Sequence, residues 1–239
     1  MRSKKRPRGS DAPRRRRAPR LRLDPDQLAA FRRGLLAWYR RAGRDLPWRR
    51  TRDPYEILVS EVMLQQTQVK RVLEYYPRFL ARYPTADELA GASESAVREA
   101  WEGLGYYRRA ANLQRAARQV AEQHGGRFPE TPEELERLPG IGRYTAGAVA
   151  SFAFGADAAI LDTNAARVLS RVFGPGRGRG RNARLWALAA AAIPPGRGYP
   201  FNQGIMDLGA TICTARKPGC PRCPVRRACR TGRRSIDQR

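Results

Sequence analysis

From Asp24 onward, apolar residues recur every three or four positions, and the period-two alternation of a half-buried strand is scarce. The pattern predicts an all-α chain. Pro25 to Ala42 forms a first amphipathic helix, after which Leu46-Pro-Trp-Arg and Asp53-Pro read as loop punctuation. Tyr55 to Leu80 then carries Leu58, Val62, Val69, Val72, Leu73 and Tyr76 at helical spacing, in one piece or two. Thr85 to Leu89 is a short capped helix, Glu94 to Leu104 another, and the break at Gly103 and Gly105 precedes a helix over Tyr107 to His124. Further helices are expected to end at Glu133 to Leu138 and to start at Tyr144. Three more follow over Asp162 to Phe173, Leu185 to Ile193 and Phe201 to Thr211. The Gly- and Arg-rich stretch 174–184 reads as a flexible loop.

Leu138-Pro-Gly-Ile-Gly-Arg-Tyr-Thr-Ala-Gly-Ala-Val149 stands out, because Pro139 and Gly140 stop one helix just before another begins. Gly140 and Gly142 suit a tight turn with unusual backbone angles and no side chain in the way. Such a turn presents N–H groups at a helix N-terminus, where Arg143 and Thr145 stand ready for a phosphate. A Gly-x-Gly helical hairpin also occurs in ordinary bundles, so the motif alone leaves DNA binding open.

Charge changes that balance. The 239-residue chain carries a formal +25, of which +10 lies in the first 22 residues and +15 in the rest. A basic body as well as a basic end points to a polyanionic partner, with nucleic acid the first candidate and a GC-rich genome the bland explanation. Residues 1–23 are expected to be a disordered basic arm and 231–239 a tail. No run of about 18 apolar residues occurs, so no membrane span is expected, and no apolar segment follows the N-terminal charges as in a secretory signal. The expected setting is cytoplasmic and nucleoid-associated.

All four cysteines fall in one short stretch, as Cys213-x6-Cys220-x2-Cys223-x5-Cys229. Clustering of this kind favours an inorganic centre over a disulfide framework. Four thiolates suit an iron–sulfur cluster or a tetrahedral zinc, and only one pair has the spacing of a zinc knuckle, which favours the cluster.

The hairpin, Leu161-Asp-Thr-Asn164 and the cysteine spacing together resemble the helix-hairpin-helix DNA glycosylases of the endonuclease III superfamily. Within it, Leu46-Pro-Trp-Arg, Asp53-Pro-Tyr, Ser60-Glu-Val-Met-Leu-Gln-Gln-Thr-Gln-Val69, Gly103-Leu-Gly-Tyr-Tyr-Arg108 and Phe201-Asn-Gln-Gly-Ile-Met-Asp-Leu-Gly-Ala210 resemble the MutY-type adenine DNA glycosylases. The likeness runs from about residue 26 to 230 and implies a two-lobed, all-α fold. A six-helix barrel would occupy roughly 50–160. An iron–sulfur lobe would combine 24–49 with 161–230, its 4Fe–4S cluster held by Cys213, Cys220, Cys223 and Cys229. The implied partner is double-stranded DNA containing a mispair, and a monomer is expected.

Site residues follow from the same resemblance. Glu61 has Ile57 four residues before it and Leu64 three after, so its carboxyl should keep a proton near neutrality and act as a general acid on the leaving base. The ordinary reading is a half-buried Glu paired with an Arg. Asp162 reads by default as an N-cap; in the family the matching Asp faces the sugar and stabilises positive charge there. Asn164 and Tyr144 would support it. Tyr144 occupies the position where the strand-cutting branch carries a lysine, and tyrosine forms no Schiff base, so a monofunctional enzyme is expected. Gln65, Gln66 and Thr67 would fill the space left by a flipped base.

Three departures bear on specificity. The sequence ends ten residues after Cys229, where most bacterial relatives continue into a domain that recognises 8-oxoguanine. Mismatch glycosylases acting on thymine or uracil opposite guanine share that shorter outline, although they lack the Gln-Gln-Thr-Gln run. Asp-Thr-Asn also replaces the usual Asp-Gly-Asn. The sequence therefore favours adenine excision opposite guanine or 8-oxoguanine, with thymine or uracil excision as the alternative. A non-catalytic DNA-binding iron–sulfur protein is third.

Overall fold

The computed structural model describes residues 23–176 and 178–234, in which helices and turns account for all regular structure. The expected basic arm lies, but for Leu23, outside the described residues.

Two buried hydrophobic clusters organise the chain. The first runs from Leu46 to Ile160 and gathers α2 (Pro54–Leu64), α3 (Val69–Arg82), α4 (Ala86–Gly91), α5 (Glu94–Ala100), α6 (Arg108–His124), α7 (Pro132–Leu135) and α8 (Arg143–Ala153). The second joins Phe31 and Leu35 of α1 (Pro25–Ala42) to α9 (Thr163–Phe173), α10 (Arg181–Ala192), α11 (Gly198–Thr211) and the cysteine-rich turns that lead into α12 (Arg230–Arg234).

Helix α11 is the seam. Its Phe201 packs edge-on to Phe31 of α1, with ring centroids 6.1 Å apart. Its other face reaches the first cluster: Asn202 Nδ2 donates to Ser151 Oγ (2.9 Å) and to the Ala158 carbonyl (2.8 Å). Tyr199 Oη donates to the Arg49 carbonyl.

Local chemistry explains the helix starts. Asp24, Asp53 and Asp162 each accept backbone N–H groups of the first turn, and Thr85, Ser93 and Thr131 do so with hydroxyls. Several boundaries differ from the sequence reading. The segment Tyr55–Leu80, read as one piece or two, is two helices, because Gln65 is extended and Gln66 is left-handed at φ +57°. Helix α5 stops at Ala100, ahead of Gly103 at φ +89°. The first arm of the hairpin is a single turn, α7, continued by tighter i→i−3 bonds through Leu138.

Part of the stretch read as a loop is helical. Helix α10 starts at Arg181, since Arg184 donates back to the Pro175 and Arg179 carbonyls and so pins the glycine-rich turn in front of it. Helix α11 starts at Gly198, where Asp157 accepts the N–H groups of Gly196 and Gly198. Residues 231–234, read as tail, continue α12.

Candidate active site

Helix α2 is apolar nearly all round: Ile57, Leu58, Val59, Val62 and Met63 are all buried. A helix of this kind runs through a core, so the carboxyl of Glu61 goes inside with it and is 5% exposed. The polar group beside it is the hydroxyl of Tyr144 on α8, whose hydrogen-bonding influence favours the charged carboxyl. Burial pushes Glu61 up to about 7; nearby Asp162 adds to the rise, and the Tyr144 bond and the Arg49 charge oppose it. The Tyr144 hydroxyl, also 3.4 Å from Met206 Sδ, is raised well above its ordinary value by burial and by the charges of Glu61 and Asp162.

Asp162 is both a helix cap and a member of this group. Its Oδ1 accepts from Ala165 N at 2.6 Å, and its Oδ2 accepts from Asn164 Nδ2 at 2.8 Å. Asn164 is held in turn: its Oδ1 accepts from Arg167 Nη2 at 2.6 Å, and Arg167 also donates to the Gly209 and Cys213 carbonyls. Helix α11 comes so close here that a Cβ on Gly209 would lie 2.6 Å from Asn164 Cβ. The structure thus brings Glu61, Tyr144, Asp162 and Asn164 to one place from three helices.

Arg49 is a member that sequence reasoning missed. Its side chain is 6% exposed and donates to both oxygens of the fully buried Asp207, each at 2.8 Å. Arg44 completes the set, with N at 2.9 Å and Nε at 2.6 Å from the same carboxylate. Burial alone would raise the pKa of Asp207, but these bonds and the two positive charges hold it below the ordinary range. Arg49 lay in Leu46-Pro-Trp-Arg, read as punctuation, and nothing in spacing links it to a residue 158 positions later.

The hairpin divides its glycines. Gly140 requires its identity: φ is +74°, and a Cβ would stand 2.4 Å from the Asn112 side chain. Gly142 does not have the unusual angles expected of it. It is extended at φ −97°, and a Cβ there would meet nothing within 4 Å. Helix α8 has no side-chain cap, unlike α1, α2 and α9, so its leading N–H groups stay available. Arg143 is exposed, and its guanidinium stacks 4.0 Å from the Trp186 ring centroid on α10.

Thr145 departs from the expected surface position: it is buried, and its Oγ1 accepts from Gln65 Nε2 at 3.4 Å. Gln66 is exposed, and Thr67 is half-buried with Oγ1 bonded to the Gln65 carbonyl.

Cys213, Cys220, Cys223 and Cys229 are free thiols that line one pocket, walled by Val168, Leu208, Ile212 and Val225. Donors point at two of the sulfurs: Arg171 Nη1 at 3.3 Å from Cys213 Sγ and Gly232 N at 3.3 Å from Cys229 Sγ. Among the described residues no three His, Cys, Asp or Glu side chains converge on a single-ion position. Four thiols around one pocket, with donors to two of the sulfurs, are the ligand type an inorganic centre takes.

The comparisons with known proteins agree with this geometry. Residues 59–187 match the model of the HhH-GPD superfamily of base excision DNA repair proteins. Human adenine DNA glycosylase is 47% identical over 223 residues, covering 88% of this chain and 41% of the human protein. The thymine-DNA glycosylase of Aeropyrum pernix is 41% identical over 87% of this chain and 96% of its own length. The chain thus spans less than half the length of the animal relatives it matches. Among solved structures, a thermostable thymine-DNA glycosylase superposes with TM-score 0.81 at 35% identity, covering 87% of this chain and 98% of that one. An endonuclease III trapped on DNA as a covalent intermediate superposes at 0.76 and 26% identity, covering 90% and 100%. Fold, hairpin and sequence together place the chain in the HhH-GPD superfamily of base excision DNA repair proteins.

Proposed function

We propose that this protein is a monofunctional DNA glycosylase that hydrolyses the N-glycosidic bond of adenine mispaired with guanine or 8-oxoguanine. The observation that carries the reading is Glu61, a buried carboxyl raised to about 7 within electrostatic reach of Asp162. A purine leaves a sugar slowly unless a ring nitrogen is protonated first. In the protein, Glu61 would deliver its proton to the flipped base while the bond from the anomeric carbon to the base nitrogen breaks, both electrons going to the base. The carboxylate of Asp162 would stabilise the positive charge that develops on the sugar, and water would then add to leave an abasic site. Tyr144 and Asn164 would position the two carboxyl groups. With tyrosine at 144, no amine is present there to attack the sugar and cut the strand.

Duplex DNA is the proposed partner, gripped at phosphate by the uncapped start of α8 with Gly140, Gly142 and Arg143, and wedged by Gln65, Gln66 and Thr67. DNA contact is supported by the DNA-bound endonuclease III neighbours and by the basic body of the chain. Cys213, Cys220, Cys223 and Cys229 would hold a 4Fe–4S cluster, which supplies a rigid centre around which their loop folds. One copy carries every group invoked, so the working form is a monomer acting on genomic DNA in the cytoplasm.

Similarity to the Aeropyrum thymine-DNA glycosylase over nearly its whole length keeps thymine or uracil opposite guanine as a second reading. Single-turnover excision on duplexes bearing adenine opposite 8-oxoguanine, adenine opposite guanine, thymine opposite guanine and uracil opposite guanine separates the two. Alkali-dependent cleavage at adenine is expected. Cleavage at thymine or uracil would select the second reading, and cleavage without alkali would overturn the monofunctional assignment.

A further inference from the structure

Arg109, on α6, is a buried arginine that does no work in the chemistry above. Its side chain makes six hydrogen bonds, and none goes to a carboxylate. Nη1 donates to the carbonyls of Val62, Met63 and Gln65 at 2.9, 2.8 and 2.5 Å, which are the last turn and the cap of the helix that carries Glu61. Nη2 donates to Thr67 Oγ1 at 3.1 Å and to the Leu104 and Gly105 carbonyls at 3.1 and 3.2 Å. The guanidinium carbon sits 5.5 Å from the ring centroids of both Trp101 and Tyr106. One side chain therefore ties the α2–α3 turn to the α5–α6 turn.

Those two turns share a second property. Among the described residues, Gln66 (φ +57°) and Tyr106 (φ +48°) are the only non-glycine positions with positive φ, and there is one in each turn. A residue with a Cβ holds such a conformation only when its surroundings enforce it. Both side chains point outward; Tyr106 is 62% exposed, the highest exposure among the large hydrophobics. Gln66, Thr67, Gly103, Leu104 and Gly105 line one open groove with Lys70, Arg71 and Glu74, in which two cations face one carboxylate and leave a net positive wall for a phosphate backbone.

We propose that Arg109 is a positioning residue that clasps the two turns at a fixed separation, so that Gln66 and Tyr106 enter the duplex together as a preset two-pronged wedge. Without the clasp each turn relaxes, the prongs lose their register, and the duplex is no longer unstacked at the target. The chemical step at an already unstacked base is left nearly untouched. This rests on the DNA-glycosylase reading above.

The test uses Arg109→Lys, which keeps a buried cation but cannot span six acceptors in a plane, beside Gln66→Gly, which leaves the buried clasp alone and removes one prong. A 2-aminopurine next to the target reports unstacking on binding, whichever base is excised. Excision is measured in parallel on the mispaired duplex and on the same target opposite an abasic analogue, where unstacking costs little. For each variant we expect the fluorescence rise to be lost and mispair excision to fall about a hundredfold, the scale of an ångström's misplacement. In Arg109→Lys, excision opposite the abasic analogue should change by less than about threefold. A simple loss of folding would lower both substrates equally, and that outcome, or an unchanged fluorescence rise in Arg109→Lys, overturns the proposal. If the wild type unstacks DNA and excises no base, the glycosylase reading fails while the clasp is still tested by the fluorescence.

Discussion

The surroundings of Glu61 and of Asp162 differ in kind, although the two carboxyl groups lie close enough to feel each other's charge. Around Glu61 the helix is apolar on every side, and the group that reaches its carboxyl is the Tyr144 hydroxyl. Asp162 sits at a helix start, where a backbone N–H at 2.6 Å and an amide at 2.8 Å already point at its oxygens. A desolvated carboxyl keeps its proton, whereas donors at a helix start hold a carboxyl in one orientation. On the proposed function, the first cluster would contribute the acid and the second the charge stabiliser, and neither role would require an unusual residue.

Replacing Glu61 breaks the comparison most severely. Glu61→Gln should lower single-turnover excision about a thousandfold, the range of a lost general acid. Its stability should move the other way. The folded pKa of Glu61 lies above its unfolded value, so its contribution is fully present below about 4.5 and is lost as pH rises through about 7. The amide escapes that loss and should be more stable than wild type at pH 8, by on the order of 3 kcal/mol at most, as read by urea unfolding. The wild-type excision rate should fall as pH rises through about 7, and this limb should vanish in the variant.

Asp162→Asn is the next test. The amide oxygen can still cap α9, so folding should hold, while loss of the charge should cost about a hundredfold in rate. A loss of helix content in circular dichroism would instead mean that the cap was the main role of Asp162. Arg49→Met sharpens the contrast from the other side. It removes the cation that opposes the rise of Glu61, so the alkaline limb should move to higher pH. It also strips Asp207 of its bidentate partner, which should destabilise the fold by about 3 kcal/mol. The smallest effect is expected from Gly140→Ala, where φ +74° and the neighbouring Asn112 should lower stability by about 1–2 kcal/mol with the cleft otherwise intact.

Much of this was legible in the sequence because it is local. Helix periodicity located the helices, Asp24, Thr85 and Asp162 marked starts, and Ile57 and Leu64 around Glu61 announced a carboxyl in apolar surroundings. What was not legible depends on contacts between distant segments. The bond from Arg49 to Asp207 spans 158 residues, and Thr145 looked like a surface hydroxyl until α2 was packed on α8. The left-handed turn at Gln66 had no glycine to signal it, since side-chain bonds from Arg109 enforce it. The early start of α10 was hidden by glycines that read as a loop until Arg184 was seen to fasten them.

The seam helix has a consequence for how the molecule is made. Phe31 and Leu35, near the first described residue, are buried against residues such as Phe201 and Ile205 that leave the ribosome about 170 positions later. The first cluster depends less on late residues: its buried members end at Ile160, and Tyr199 and Met206 of α11 pack on it afterwards. During synthesis it can close around Glu61 while α1 still waits with its apolar face uncovered. Asp162 gains its fixed place opposite the acid only when α11 emerges and brings the two ends together. On the proposed function, the nascent chain would hold the proton donor early and stay unable to break a sugar–base bond until α11 has emerged.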